Sequence, residues 1–296
     1  MAFLSFTQNA FFLSLRRFSL GGLMLAMLGL PTFLAACSPD EKTAEQKSTP
    51  DKTVEEQTPL GPEGRPVVLI TGSNRGIGLA LTKEYANQGW HVIATCRHPE
   101  KADILQSLSA KNPHVVIEKL DVTDLSAIDA LAAKYKDMPI DVLLSNAGIS
   151  GGRDVQTLGS FKYDAIDKVM AVNVIGPLKL AEAFVDNVAA SKQKKMVTIT
   201  STQGSITKTF GISYFYRSSK TAVNIVMHNL AIDLKDRGII VSLISPGMVD
   251  TDFMKGLPLP LIPPAQSAAM IYKVVDGLTL DKSGVFLNHR GGEEPW

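Results

Sequence analysis

Short apolar runs alternate with stretches of helical spacing from residue 66 onwards, and this alternation narrows the folds open to the chain. Because a helical stretch separates successive runs, the strands are expected to run parallel, with helices covering both faces of the sheet. The predicted strands are 66–70, 91–95, 114–120, 140–145, 195–201, 239–245 and 284–288, and the predicted helices are 77–88, 100–110, 124–136, 162–190, 214–237 and 266–277. The sequence therefore predicts a single α/β domain built on a doubly wound, seven-stranded parallel sheet.

A glycine-rich turn joins the first predicted strand to the first predicted helix. Its sequence is Thr71-Gly72-Ser73-Asn74-Arg75-Gly76-Ile77-Gly78. Glycines let the backbone approach a pyrophosphate closely, and a helix N-terminus offers free N–H groups and the positive end of its dipole. Glycines also serve ordinary turns, so the position between a strand and a helix carries the interpretation. We expect a Rossmann-like dinucleotide-binding site here.

The spacing Gly-x-x-x-Gly-x-Gly resembles that of the short-chain dehydrogenase/reductase family, and the resemblance extends over residues 66–296. Further motifs follow in that family's order: Asp121-Val122, Asn146-Ala147-Gly148, Asn173, Ser201, Tyr216-x-x-x-Lys220, and Pro246-Gly247 with Thr251. One departure is Ser145, which stands where the family has a first asparagine before Asn-Ala-Gly. The resemblance implies that these positions bind the cofactor and that Asn173, Ser201, Tyr216 and Lys220 form a catalytic tetrad.

Tyr216 and Lys220 are four residues apart on a predicted helix, so their side chains share one face. A nearby ammonium is expected to lower the pKa of the phenol, which would then donate a proton to a carbonyl oxygen while hydride reaches the carbon. Ser201 would hold the same oxygen by a hydrogen bond. The resemblance implies that Lys220 also binds the nicotinamide ribose and that Asn173 positions a water. Alternatively, Asn173 is a buried hydrogen-bonding residue and Ser201 a turn or N-cap residue.

The end of the second predicted strand bears on the choice of cofactor. An acidic residue there would bind the ribose 2′-hydroxyl of NAD and repel a phosphate. This strand instead ends in Cys96-Arg97, and Arg97 and Arg75 are suited to the 2′-phosphate of NADP. NADP is therefore expected and NAD is less favoured, unless both arginines are simply solvated surface residues. Cys96 is expected to be a small buried residue and not a reactive thiol.

The last strand is followed by Gly-x-Glu-x-Pro-Trp, which ends at Trp296. This ending resembles the subgroup that contains the bacterial C-factor and the insect carbonyl reductase sniffer. The resemblance implies an NADP-dependent oxidoreductase that reduces a small aldehyde or ketone to an alcohol. The alternative is a nucleotide-binding signalling or sensor protein on the same fold, with little turnover.

The first 62 residues differ in composition from the rest. Residues 1–36 contain no Asp or Glu, carry the basic pair Arg16-Arg17, and end in an apolar run before Leu34-Ala35-Ala36-Cys37, which resembles a bacterial lipoprotein box. We expect a lipoprotein-type signal peptide over 1–36 with lipidation at Cys37, a disordered tether over 37–62, and the enzyme domain over 63–296. The protein would then be a membrane-anchored lipoprotein facing the periplasm or the cell exterior. An ordinary anchor, a cleaved signal, or a cytoplasmic protein with a misassigned start are the alternatives.

The net charge and the spacing of the histidines indicate whether nucleic acid or a metal ion is an expected partner. Thirty basic residues face 29 acidic ones, a balance that argues against nucleic-acid binding. The five histidines show no metal-ligand spacing, so no metal site is expected. The resemblance implies a homodimer through the predicted helices 162–190 and 214–237, although a monomer stays open.

Overall fold

The computed structural model describes residues 61–255 and 260–296. A single seven-stranded sheet forms its centre, with the order β3-β2-β1-β4-β5-β6-β7, and all six pairings are parallel. The strands are β1 Val67–Thr71, β2 His91–Cys96, β3 Val115–Lys119, β4 Val142–Ser145, β5 Lys195–Ile199, β6 Ile240–Ser245 and β7 Phe286–Asn288. The predicted Rossmann-like, doubly wound fold is confirmed.

In the described part of the chain, seven α-helices cover the sheet. They are α1 Gly76–Asn87, α2 Asp103–Lys111, α3 Leu125–Lys134, α4 Asp164–Met170, α5 Gly176–Ala189, α6 Tyr214–Asp233 and α7 Pro264–Asp276. The side chains of α3, α5 and α6 pack on one face of the sheet, and those of α1, α2 and α7 pack on the other. Both faces of the sheet are therefore buried in two separate apolar cores.

Strand β1 shows why an unbroken apolar sequence forms a central strand here. Side chains alternate between the faces of a strand, so Val67 and Leu69 enter one core while Val68 and Ile70 enter the other. All four are fully buried. A strand covered by helices on both faces needs an apolar residue at every position, and the alternation of polar and apolar residues typical of exposed sheets is absent from it.

The predicted helix 162–190 is interrupted. The structure has α4, then a π-helical turn over Ala171–Ile175, then α5. Pro177, in the first turn of α5, has no N–H to donate to the carbonyl four residues earlier, and its ring crowds that carbonyl. A wider turn at this point places Asn173 in the irregular segment, as is common for functional π-turns.

The predicted signal peptide 1–36, the lipidation site Cys37 and the tether to residue 60 lie outside the described residues. A short 3-10 turn at Pro62–Gly64 leads into β1. Over 61–255 and 260–296, no helix combines the length and apolar character needed to cross a bilayer.

Candidate active site

A cleft of about 560 Å³ opens at the carboxyl edge of the sheet, above β1 and β4. The strand order reverses between these two strands, since β1 lies between β2 and β4. Ligands of doubly wound sheets bind at this kind of switch point. The volume lies within the usual range of small-molecule sites, roughly 300–1,000 Å³.

The glycine-rich turn forms one wall of this cleft. Gly72 and Gly76 have φ angles of +70° and +55°, a region that other residues rarely adopt. A Cβ at Gly78 would collide with the carbonyl oxygen of Gly72, so only glycine lets the start of α1 pack against the turn. Helix α1 therefore begins beside the cleft with its first N–H groups free for a ligand, an arrangement that fits a pyrophosphate.

Thr71 and Ser73, two residues of this turn, hold it in place through hydrogen bonds outside the cleft. The Thr71 hydroxyl accepts hydrogen bonds from the backbone N–H groups of Asn146 (3.0 Å) and Ala147 (3.1 Å), and the Asn146 amide donates to the Thr71 carbonyl at 2.9 Å. The Ser73 hydroxyl donates to the carbonyl of Ile70 at 2.9 Å. Thr71 and Ser73 are buried and do not line the cleft, whereas Asn146 does. Thr71 and Ser73 are therefore positioning residues: Thr71 joins the ends of β1 and β4, and Ser73 fixes the turn to β1.

The residues expected near the adenosine half of a cofactor line the far end of the cleft. They are Asn74, Arg75, Ile77, Arg97, Asp121 and Val122. Arg97 is exposed, while Arg75 forms an ion pair with Asp252 at 3.0 Å, with both side chains about 70% exposed. The sequence did not predict this pair, which links the glycine turn to the segment after β6. Cys96 is buried as expected, and burial raises the pKa of its thiol.

Tyr216, Lys220 and Ser201 meet in the middle of the cleft. Tyr216 and Lys220 lie one turn apart on α6, and both are more than nine-tenths buried. The Lys220 Nζ donates to the carbonyl of Ile199 at 2.9 Å and lies 5.8 Å from the centroid of the Tyr216 ring. Ser201 follows β5 and caps the 3-10 turn Thr202–Gly204, accepting from the Gln203 N–H at 3.1 Å. It is therefore both an N-cap residue and a cleft residue.

Burial sets the protonation of this pair. It raises the pKa of the Tyr216 phenol to about 12, and a hydrogen bond with the Ser201 side chain offsets only part of the rise. It also lowers the pKa of the Lys220 ammonium to about 8. The expected lowering of the Tyr216 pKa is wrong in its net direction, because lost solvation disfavours the charged forms of both groups and outweighs the favourable interactions. Tyr216 therefore holds its proton at neutral pH.

Asn173 stands beside the cleft without lining it. Its amide donates to the Ile149 carbonyl and to the Ser219 hydroxyl, both at 2.9 Å, and its carbonyl oxygen accepts from the Ile149 N–H at 2.9 Å. A Cβ at Gly148 would lie 3.4 Å from this carbonyl oxygen and 3.7 Å from the Lys220 Nζ. Asn173 is thus a buried hydrogen-bonding residue that fixes the loop after β4 next to Lys220.

The segment after β6 closes the cleft from above. Gly247 has a φ of +84°, and a Cβ there would lie 2.8 Å from the His289 ring, so glycine is required on both counts. A Cβ at Gly76 would lie 3.3 Å from the Thr251 side chain, which places Thr251 directly over the glycine turn. Pro246, Gly247 and Thr251 all line the cleft.

Comparison with known proteins identifies the family. A family model described as short chain dehydrogenase matches residues 66–259. The chain belongs to this family. It is therefore an oxidoreductase whose fold binds a nicotinamide cofactor.

Relatives with known structures or names are similar over most of the chain. The NADPH-bound carbonyl reductase from chicken fatty liver is 32% identical with a TM-score of 0.73, covering 78% of this chain and all of the other. The carbonyl reductase Sniffer of D. melanogaster is 28% identical with the same TM-score, covering 78% of this chain and 99% of its own. A 1-hydroxy-2-glutathionyl-2-methyl-3-butene dehydrogenase of Rhodococcus sp. (strain AD45) is 34% identical over 234 residues, which is 77% of this chain and 99% of that protein.

Several residues that shape the site were not predicted from the sequence. Ile149, Met248 and Phe253 form an apolar wall, and the Phe253 ring centroid lies 5.1 Å from that of Tyr216. Gln156 is buried, and its carbonyl oxygen accepts from the Tyr216 N–H at 3.0 Å, which fixes the start of α6. All four lie in loops, where no periodic pattern distinguishes a lining residue from a solvated one.

Acidic, histidine and cysteine side chains are scattered through the described part of the chain, and no three of them form a group suited to hold a metal ion.

Proposed function

We propose that this enzyme uses NADPH to reduce a small aldehyde or ketone to an alcohol. One observation carries the proposal: a buried, protonated phenol and a serine hydroxyl share a cleft with a glycine turn fitted to a dinucleotide. The bound cofactor would supply a hydride to the carbonyl carbon. The protein supplies the proton and the placement of the groups.

Each catalytic side chain has a distinct part in this proposal. Tyr216 donates its proton to the carbonyl oxygen, and the Ser201 hydroxyl hydrogen-bonds to the same oxygen as negative charge develops. Lys220 lies one helical turn away, and its ammonium would stabilise the tyrosinate left behind, because opposite charges attract strongly in a buried site. Asn173 acts by holding the loop after β4 in place beside Lys220. A water placed by Asn173 for proton return remains a prediction.

Two features support NADP over NAD. Arg97 follows β2 directly and lines the cleft as an exposed cation, suited to the 2′-phosphate. No acidic side chain from the end of β2 lines the described cleft, so the group that would select the 2′-hydroxyl of NAD is missing from that position. The chicken carbonyl reductase, similar over the whole domain, is described as NADPH-bound.

The apolar wall favours an apolar substrate. Ile149, Met248 and Phe253 line the cleft near Tyr216 and give a carbonyl compound an apolar surface next to the proton donor. Aldehydes and ketones with a hydrophobic substituent should therefore be reduced in preference to charged ones.

Turnover by the full chain tests the proposal. NADPH absorbance is followed with a panel of aldehydes, ketones and quinones. Tyr216→Phe should lower kcat by about 100- to 10,000-fold, the usual contribution of a general acid. Tyr214→Phe is the matched control, because Tyr214 has Ser218 and not a lysine four residues on. Equal kcat for Tyr216→Phe and the wild type would contradict the assignment, and NADPH binding without turnover on any compound would favour the sensor alternative.

We also propose that the protein is anchored to a bacterial membrane by lipid at Cys37. The proposal rests on the basic pair, the apolar run and the Leu-Ala-Ala-Cys tetrad of the first 37 residues. Metabolic labelling with a fatty-acid analogue should mark the wild type and not Cys37→Ser, while the buried Cys96 provides the control Cys96→Ser. Unlabelled protein in the cytoplasmic fraction would contradict the anchor.

A homodimer is proposed through α5 and α6. Leu178 on α5 and Ile232 on α6 are large apolar side chains that are 40% and 63% exposed. Sedimentation of the full chain tests it, and a monomer at micromolar concentration would contradict it.

A further inference from the structure

A second cavity of about 500 Å³ lies on the other side of α6 from the catalytic cleft. Tyr216 and Arg217 are successive residues of the helix, so their side chains point about 100° apart, Tyr216 into the first cavity and Arg217 into the second. The walls are mainly apolar, formed by residues such as Ile206, Ile212 and Ile225. Arg217 is the one charged side chain among the described residues that line this cavity.

Arg217 is buried without a hydrogen-bond acceptor. Its side chain is 7% exposed, and none of its three guanidinium nitrogens donates to any described residue. The guanidinium makes a cation–π contact with the face of Phe210, whose ring centroid lies 3.9 Å from the guanidinium carbon. None of the ion pairs among the described residues involves Arg217. A buried cation with five N–H donors and no acceptor is costly unless a ligand supplies the acceptors.

The segment that covers the cavity is strained. Gly211, Ile212 and Ser213 follow one another with φ angles of +78°, +50° and +52°, and a β-branched residue such as Ile212 rarely adopts this region. Ile206, Phe210 and Ile212 are nevertheless 59–70% exposed to solvent. The segment therefore buries little apolar surface in return for its strain, and moving it aside would expose Arg217.

We propose that this cavity binds a monocarboxylate with an aliphatic chain, whose two oxygens accept from the Arg217 guanidinium while the chain lies along the isoleucines. A guanidinium fork matches a carboxylate in geometry, and a single cation neutralises a single negative charge. The apolar walls suit a hydrocarbon chain. They provide no second charged hydrogen-bond donor for a phosphate dianion. The occupant is thus a fatty-acid-like molecule, bound outside the catalytic cleft.

The two cavities share one wall. Gln203 lines both, and its backbone N–H donates to the Ser201 side chain. The Thr221 hydroxyl, on the second cavity's side of α6, donates to the carbonyl of Gly204 at 3.0 Å. A ligand at Arg217 would therefore contact the turn that positions Ser201. Binding of this ligand does not depend on turnover.

Calorimetric titration of the full chain with octanoate tests the proposal. Octanoate should bind the wild type once per chain and about 10-fold or more weaker in Arg217→Met, with Arg217→Lys between the two, because lysine keeps the charge and loses the bidentate fork. Arg237→Met, which removes a surface arginine paired with Asp186, is the matched control and should not alter the affinity. Octanol and inorganic phosphate are the probe controls, and loss of the arginine should leave any octanol binding unchanged.

Two further measurements distinguish loss of the binding site from a folding defect. They are octanoate binding by a cavity-filling variant and the thermal midpoint of Arg217→Met. Ala222→Leu should weaken octanoate while leaving Arg217 in place, because residue 222 lines the cavity. Without ligand, Arg217→Met should raise the thermal midpoint, since it removes an uncompensated buried charge. Equal octanoate binding by Arg217→Met and wild type, no binding to the wild type at millimolar octanoate, or a lower midpoint in Arg217→Met would each overturn the proposal. The proposal would also be overturned if the wild type were a dimer that did not bind octanoate and that dissociated in Arg217→Met. The Arg217 guanidinium would then contact a second copy of the chain.

Discussion

Replacing Lys220 with methionine should stabilise the cofactor-free protein at neutral pH while abolishing turnover. Lys220 is buried, and its ammonium has no acidic partner among the described residues. Burial lowers its pKa from 10.5 to about 8. At roughly 1.4 kcal/mol per pKa unit, holding the ammonium in the folded state costs about 3 kcal/mol at pH 7.

The hydrogen bond to the Ile199 carbonyl offsets part of this cost. A single hydrogen bond of this kind contributes about 1 kcal/mol, and methionine of similar length would lose it while keeping the packing. The net expectation is that Lys220→Met raises the free energy of unfolding by about 2 kcal/mol at pH 7. In a domain of this size, that corresponds to an increase of roughly 4–8 °C in Tm.

The pH dependence distinguishes this cause from a general packing effect. Between about pH 8 and 10.5 the unfolded chain still holds the Lys220 proton while the folded protein has released it. The unfolded state then binds more protons, so the stability of the wild type rises with pH across this window. Near pH 10 the advantage of the variant should vanish or change sign, since only the lost hydrogen bond remains.

Denaturant unfolding without nucleotide, from pH 6 to pH 10, measures this difference, with the buried Trp90 as the fluorescent reporter. Lys235→Met, at an exposed lysine in the turn after α6, is the control and should change stability by less than about 0.5 kcal/mol at every pH. A Lys220→Met variant that is less stable than the wild type by the same amount at pH 7 and pH 10 would refute the reasoning.

Three further outcomes are expected at the cofactor end of the cleft. Arg97→Met should raise the KM for NADPH about 10- to 100-fold and leave that for NADH nearly unchanged, because one charge-assisted contact is lost; equal changes for both cofactors would contradict the assignment. Gly78→Ala should lower the free energy of unfolding by up to about 3 kcal/mol and abolish nucleotide binding, because its Cβ collides with the carbonyl of Gly72; denaturant unfolding and calorimetry measure the two effects. Asp252→Asn should tighten NADPH binding by no more than about five-fold, because it frees Arg75 from an exposed ion pair; weaker binding would show that the pair supports the site.

The fold and many residues of the cleft could be predicted because the sequence patterns that indicate them are local. Strands such as β1 are continuous apolar runs, and Gly72, Gly76 and Gly78 sit where a strand gives way to a helix. The cleft lies at the carboxyl edge of a parallel sheet by topology alone. Residues at strand ends, such as Asp121 and Asn146, therefore came together there without any knowledge of tertiary contacts.

The pKa shifts of buried side chains and the ion pairs between residues distant in sequence could not be predicted in the same way. The spacing of Tyr216 and Lys220 showed that they share a helix face but not that both are buried, and burial decides the direction of both pKa shifts. The pair between Arg75 and Asp252 joins residues 177 positions apart, which no local pattern reveals. The π-turn that holds Asn173 depends on Pro177 following four residues later, a conflict visible only once the helix is built.

Helix α6 links these observations to function. It holds one buried cation toward each of two cavities, Lys220 into the catalytic cleft and Arg217 into the second one, and neither has an acidic partner among the described residues. Such charges destabilise an empty protein and are tolerated where function needs them. A ligand that supplies the missing acceptors binds the folded state alone and returns the lost stability. Octanoate and NADPH should therefore each raise the thermal midpoint of the wild type, through separate cations on the same helix. At a given octanoate concentration the increase should be much smaller in Arg217→Met, and the increase with NADPH should persist there.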